Sequence, residues 1–160
     1  MIDDNYKYNS VTVALYIVAV MNNMKLEVNM TKLQKLLYIA YGTYLAIKNC
    51  RLTNEHPQAW PYGPVFPTTR NKLLKKDLSV INISIPELAD IRNDIEMQQL
   101  VMLVLNGFGR KNATTLSVWS HQSGSPWDRV VSQAGFTWGE RIPDEYIQEY
   151  FKSILEKDGK

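Results

Sequence analysis

Two long stretches of this chain carry no charged side chain, residues 11–24 and residues 36–47. That narrows what it can fold into. Val11, Ala14, Leu15, Val18 and Met21 recur at helical spacing, and Val13, Ile17 and Val20 widen the stripe past half the circumference. Asn9 and Ser10 are N-cap residue types standing just before it. In the second stretch Leu33, Leu36, Leu37, Ala40 and Tyr44 share a face, while Ile39, Ala46 and Ile47 lie elsewhere around the helix. A helix apolar nearly all round must be covered on most sides, so this one is expected at the centre. Thr31 and Gln34 have the spacing of a capping box, which puts the start of the helix at Thr31. Gly42 lowers intrinsic helicity by about 1 kcal/mol relative to alanine and marks a place where another backbone approaches. Neither uncharged run reaches the ~20 residues of a membrane span.

Between residues 51 and 67 the chain cannot continue as helix. Pro57, Pro61, Pro64 and Pro67 each lack a backbone donor and push the preceding residue toward extended geometry. The three-residue recurrence of Pro61, Pro64 and Pro67 places them on one edge of a polyproline-like ribbon, with Trp60, Gly63 and Phe66 on a second edge. A short β-hairpin or bulged strand is expected to enter this ribbon. Pro67 then opens a short helix ending about Lys76.

Farther along, Ile81, Ile83 and Ile85 alternate with Asn82 and Ser84, so residues 78–85 read as a half-buried strand closed by Pro86. Asn93 and Glu96 repeat the N-cap-to-N3 spacing and open a helix near Asp94, which Gly107 and Gly109 end. Asn112 caps a short helix carrying Leu116 and Trp119. Ser125-Pro126 is a second start signal. Gly135 and Gly139 bracket a loop. Pro143, Asp144 and Glu145 begin a last helix, acidic at its positive end, with Ile147, Tyr150, Phe151, Ile154 and Leu155 as its buried stripe. The expected fold is mostly α (strictly α+β): a single helical domain over residues 9–155 with a small antiparallel β-hairpin or sheet, and flexible ends at 1–8 and 156–160.

The charge balance, 18 basic against 16 acidic residues for a net of +2, gives nucleic acid little to hold, and none is expected as partner. The densest basic run, Arg70, Lys72, Lys75 and Lys76, reads first as a solvated helix face and second as a contact for an acidic partner surface or RNA. The single cysteine, Cys50, forbids an internal disulfide and fits a reducing cytosol. The acidic start, Met1-Ile2-Asp3-Asp4-Asn5, is not a signal peptide, so a soluble cytoplasmic protein is expected.

Little catalytic chemistry is on offer. His56 and His121 are the two histidines, and no cysteine or acidic residue stands at helical spacing from both, so neither a zinc site nor any other cofactor is expected. Ser123, His121 and Asp128 make a triad on paper only, since geometry defines one. His121 lies at a helix end, where an imidazolium suits the dipole or a neutral ring can hold a backbone carbonyl; partner contact is the alternative. Trp60, Tyr62 and Phe66 could pack as core or present a rigid aromatic surface, and a mixed arrangement has Trp60 inward and Tyr62 outward. Trp119 and Trp127 are expected in the core.

Three strings in fixed order remain: Lys32-Leu33-Gln34-Lys35-Leu36-Leu37-Tyr38, Ala59-Trp60-Pro61-Tyr62-Gly63-Pro64-Val65, and His121-Gln122-Ser123-Gly124-Ser125-Pro126-Trp127. Together with the ending Ile142-Pro143-Asp144-Glu145-Tyr146-Ile147 they resemble the Panacea domain of SocA-like, phage-associated antitoxins, over about residues 11–151. The resemblance implies a mostly helical antitoxin domain without enzyme activity, which binds and neutralises a cognate protein toxin. One type in the family is a proteolytic adaptor that hands its toxin to a bacterial protease. An adaptor or prophage regulator acting on a host factor is therefore the alternative. With the domain filling the chain, no separate DNA-binding module is expected. Lys32, Lys35, Trp60, Tyr62, Arg70 and His121 are the candidate partner-binding residues, with Lys32, Lys35, Tyr62 and Arg70 expected to be exposed.

Overall fold

The computed structural model describes residues 1–158. In chain order its elements are β1 (Asp3–Tyr8), α1 (Ser10–Asn23), α2 (Met30–Lys48), β2 (Cys50–Thr53), β3 (Gln58–Trp60), β4 (Gly63–Val65), α3 (Pro67–Leu73), α4 (Ile95–Phe108), α5 (Ala113–Ser120), α6 (Pro126–Val131) and α7 (Asp144–Asp158). Three single 3-10 turns, Leu78–Val80, Pro86–Leu88 and Ile91–Asn93, fill the segment between α3 and α4. The mostly helical class and the antiparallel hairpin agree with the sequence reading; β3 pairs with β4 as Gln58–Val65, Ala59–Pro64 and Trp60–Gly63.

As its composition requires, α2 is the axle. It touches α1, α4, α5, α7, β2 and β4, and it is buried from Leu33 to Leu45 on every side. Asn9 caps α1 by accepting the Val11 N–H at 2.9 Å. The cap of α2 differs from expectation. Asn29 accepts the Lys32 N–H at 2.9 Å, so the helix starts at Met30 and there is no Thr31–Gln34 capping box. Gln34 instead ties α2 to the segment after β4: it is buried, its Oε1 accepts the Phe66 N–H at 2.7 Å, and its Nε2 faces the Phe66 carbonyl at 3.4 Å. At Gly42 a side chain, not a backbone, makes the close approach. The Phe151 ring of α7 lies where a Cβ would stand, and it meets Tyr38 edge-on at 5.6 Å between centroids.

The expected strand at 78–85 is absent. Ile81 is buried and Ile83 exposed, so the isoleucines do not share one face as a strand requires, and the polar side chains divert the backbone into turns. Asp77 accepts the Ser79 N–H and Asn82 accepts the Ser84 N–H, while the Asn22 amide of α1 donates to the carbonyls of Leu78 and Ile81, both at 2.8 Å. Local side-chain bonds of this kind compete with a sheet ladder. The cap of α4 is Asp94, one residue after Asn93, and Gly107 sits inside the helix that Gly109 closes. The short α3 stops at Leu73, before Lys76.

Residues 3–8, expected to be loose, form β1, which pairs in parallel with β2. Side chains anchor it: Tyr8 donates to Asp94 at 2.7 Å, and Lys7 bridges Glu96 at 2.8 Å. At the other end, helix α7 runs on through residues 156–158; residues 159–160 of the expected loose tail lie outside the described residues. No helix among the described residues is long and apolar enough to cross a membrane.

Candidate interaction face around the Pro61–Pro64 turn

The hairpin β3–β4 turns through Pro61 and Tyr62. Gly63 has φ +117°, a value that disfavours any side chain. A Cβ there would also strike Ser120 Oγ at 2.6 Å and crowd Lys35 Nζ at 3.3 Å. Glycine thus lets the turn lie flat on α2 and α5.

Alternate carbonyls of this turn are held from different helices. Trp127 Nε1 of α6 donates to the Trp60 carbonyl at 2.7 Å. Ser117 Oγ of α5 donates to the Tyr62 carbonyl at 2.7 Å. Lys35 Nζ of α2 donates to the Pro64 carbonyl at 2.9 Å. The free edge of β3 is bound as well: Ala59 N–H donates to Glu140 and Gly139 N–H donates to Ala59, at 2.8 and 2.9 Å. This pinned backbone carries the Tyr62 side chain outward, 78% exposed. Beside it lies a shallow depression of about 450 Å³ lined by Thr31, Ala113, Thr114, Ser117, Val118 and His121.

The candidate residues sort into two layers. Trp60 is half-buried, with the Arg70 guanidinium 5.7 Å from its ring centroid. Arg70 is accordingly also half-buried, not free in solvent. His121 follows α5 and packs its ring on Trp127 at 5.3 Å. Its Nδ1 is buried without a partner, so it does not hold a carbonyl. Nor does it form a triad: the Asp128 carboxylate accepts the Gly124 N–H at 2.9 Å, and Ser123 is exposed. Phe66 is core; of the expected pair, Tyr62 points outward while Trp60 is only half inward.

Lys32 and Lys35 correct the sequence reading. Both are buried, at 4% and 2% exposure. Amphipathic spacing could not show this, because lysine on a central helix is normally a snorkelling surface residue. Burial lowers the pKa of Lys32, with Glu27 opposing. Burial likewise pushes the Lys35 ammonium down to about 8. Lys35 therefore braces the turn from beneath and cannot touch a partner. Trp119 and Trp127 are half-buried rather than core, Trp119 packing against Phe108, Phe151 and Tyr150.

Sequence reasoning missed two features. Trp138, 56% exposed, extends the aromatic surface from Trp127 at 6.1 Å and Phe136 at 5.0 Å. A tryptophan in the loop bracketed by Gly135 and Gly139 was the available signal. The second is a polar cleft of about 590 Å³ between β2 and the start of α7, lined by Asp4, Arg51, His56, Arg141, Asp144 and Glu145. In it Arg51 Nη1 meets His56 Nε2 at 2.5 Å. An arginine only donates, so Nε2 accepts and the proton is assigned to Nδ1, which faces Asp144 Oδ2 at 3.6 Å. Tyr41 donates to the other oxygen of Asp144 at 2.5 Å. Burial pushes the Asp144 pKa up, but the facing His56 ring and the Tyr41 hydrogen bond outweigh it and hold the carboxyl below its ordinary range. Arg51 also donates to the Asp4 carbonyl at 2.8 Å. The nitrogen a general base would use is thus occupied, and the group serves as a latch joining β1, β2, α2 and α7.

The fold and this face define a small helical domain that carries an exposed tyrosine on a turn braced from three helices. A family model described as "Antitoxin SocA-like, Panacea domain" matches residues 33–128, which run from the first turn of α2 through the hairpin turn to the start of α6. Antitoxin SocA of Caulobacter vibrioides (strain NA1000 / CB15N) is 36% identical over 137 residues, covering 75% of this chain and 70% of the relative. The chain belongs to the SocA-like Panacea family of antitoxins. No solved structure matches it.

Proposed function

We propose that this chain neutralises a cognate protein toxin by direct contact, and that the Tyr62 turn with Trp60, Arg70 and Trp138 is the surface that docks. One observation carries the reading: Tyr62 is 78% exposed on a turn whose carbonyls are pinned from three helices. An aromatic side chain held in place loses little conformational freedom when it is covered, which is the property of an interface hot spot. Tryptophan, tyrosine and arginine are the residues that dominate such centres. The family membership supplies the class of partner. Neutralisation here is occupancy of the toxin, with no bond made or broken by this chain.

Co-expression with the product of the adjacent gene tests this. The wild-type chain restores growth against a toxic neighbour, and Tyr62→Ala loses most of the rescue while its level in the cell is unchanged. Rescue that survives both Tyr62→Ala and Arg70→Ala contradicts the assigned face. A toxin that disappears only when a host protease is present would move the reading to an adaptor that promotes degradation.

A further inference from the structure

Helix α4 turns Met97, Leu100, Val101, Val104 and Leu105 into the core. Its outer face is Ile95, Gln98, Gln99, Met102, Leu103 and Asn106, all exposed. A solvated helix face is ordinarily charged, and this one is not. The nearest charge, Glu96, is already paired with Lys7 at 2.8 Å and Lys48 at 2.9 Å. Ile95 and Leu103 are 67% and 52% exposed. Leu103 forms a ridge between two apolar grooves. One, of about 450 Å³, lies against α2 with Tyr44 and Ile47; the other, of about 350 Å³, lies against α5 and α7 with Phe108, Trp119 and Ile154. Where Gly107 faces out, nothing stands within 4 Å of the position a Cβ would take.

We propose that a second copy of this chain covers this face, with the two α4 helices packed antiparallel about a two-fold axis. A ridge flanked by grooves fits another copy of itself, since helices pack ridge into groove. The charges decide the direction. Asp90 stands one 3-10 turn before α4, where Arg92 is turned back onto the Ile83 and Ile85 carbonyls, and Arg110 and Lys111 stand just after the helix; Asp90, Arg110 and Lys111 are exposed, and none of their side chains has a hydrogen-bond or ion-pair partner among the described residues. Antiparallel packing brings the acidic end of each helix to the basic end of the other, twice over. In that arrangement Ile95 of one copy meets the open notch at Gly107 of the other, and Gln99 lies opposite the Leu103 ridge. Parallel packing would oppose like charges at both ends. An isologous contact of this kind is the commonest route to a closed dimer.

Sedimentation equilibrium of the full chain at about 1 to 100 µM reads the outcome, a range in which an association of moderate strength is visible. The wild type is expected to dimerise. Leu103→Glu is expected to be monomeric with an unchanged circular dichroism spectrum, since Leu103 is half in solvent already. Asp90→Arg and Arg110→Asp alone weaken the dimer roughly tenfold each, and the double charge swap restores it. A wild-type monomer across the range overturns the proposal, as does a dimer indifferent to Leu103→Glu. A monomer whose Leu103→Glu variant loses the toxin complex also overturns it and gives the groove to the toxin.

Discussion

Lys35 shows how one residue sets the behaviour of the turn above it. Its ammonium is buried at 2% exposure and spends one of its three donors on the Pro64 carbonyl. Burial lowers its pKa from 10.5 to about 8. Between these two values the unfolded chain holds a proton that the folded chain has lost, so folding stability rises with pH across that window. Below about pH 8 the lysine is charged in both states, and the full cost of the buried charge is present. The buried phenols of Tyr38 and Tyr41 act in the opposite sense above pH ~10, because burial raises their pKa and the unfolded state ionises first. Urea unfolding between about pH 8 and 9.5 should therefore show the wild type gaining up to ~2 kcal/mol, with a smaller gain in Lys35→Met, where the buried Lys32 still acts in the same direction. Parallel profiles for the two proteins would show that Lys35 is not the titrating group. Lysine at this position was legible as part of a motif, but its burial was not, since nothing local distinguishes a lysine under a turn from one in water.

Packing of the elements onto α2 depends on positions where the helix gives up a side chain. Phe151 of α7 occupies the Cβ site of Gly42. Gly42→Ala gains about 1 kcal/mol of helix propensity but forces the ring out of place, which costs about 1–3 kcal/mol. The net expectation is a lower melting temperature, partly restored when Phe151→Leu is added. A melt raised by Gly42→Ala alone would mean that α7 yields easily. Helix α3 depends on a residue outside itself. Glu55 accepts the N–H groups of Thr68 and Thr69 and the hydroxyls of Thr69 and Ser10, so it caps α3 and ties it to the start of α1. Glu55→Ala should cost about 2–3 kcal/mol by leaving those donors without an acceptor, read as a shift of the urea midpoint; no shift would assign the cap to water. Elements with their own signals were legible in the sequence: Asn9, Asn112 and Ser125 cap the helices expected of them, and the prolines fix the hairpin. Elements held by distant groups were not. Residues 78–85 have strand alternation but are bent by Asn22 from another helix, and β1 exists because Asp94 and Glu96 anchor it from far along the chain.

At the scale of the molecule, α2 separates two surfaces. The turn lies over Lys35, and the apolar groove of α4 lies beside Ile47. At 1.5 Å per residue these points are about 18 Å apart along the helix, and the two surfaces are built from different residues. Leu103→Glu should accordingly leave toxin affinity per chain unchanged, and a loss on that substitution would merge the two surfaces into one. The net charge of +2 provides little long-range steering, so complex strength should rest on the aromatic contact and change little with added salt. The most direct measurement is a calorimetric titration of the purified toxin with wild type and Tyr62→Ala, each checked by thermal melt. Affinity weaker by roughly thirtyfold or more, about 2 kcal/mol, with an unchanged melt is the predicted result. Equal affinity within about twofold would contradict the assignment of the braced turn as the docking surface.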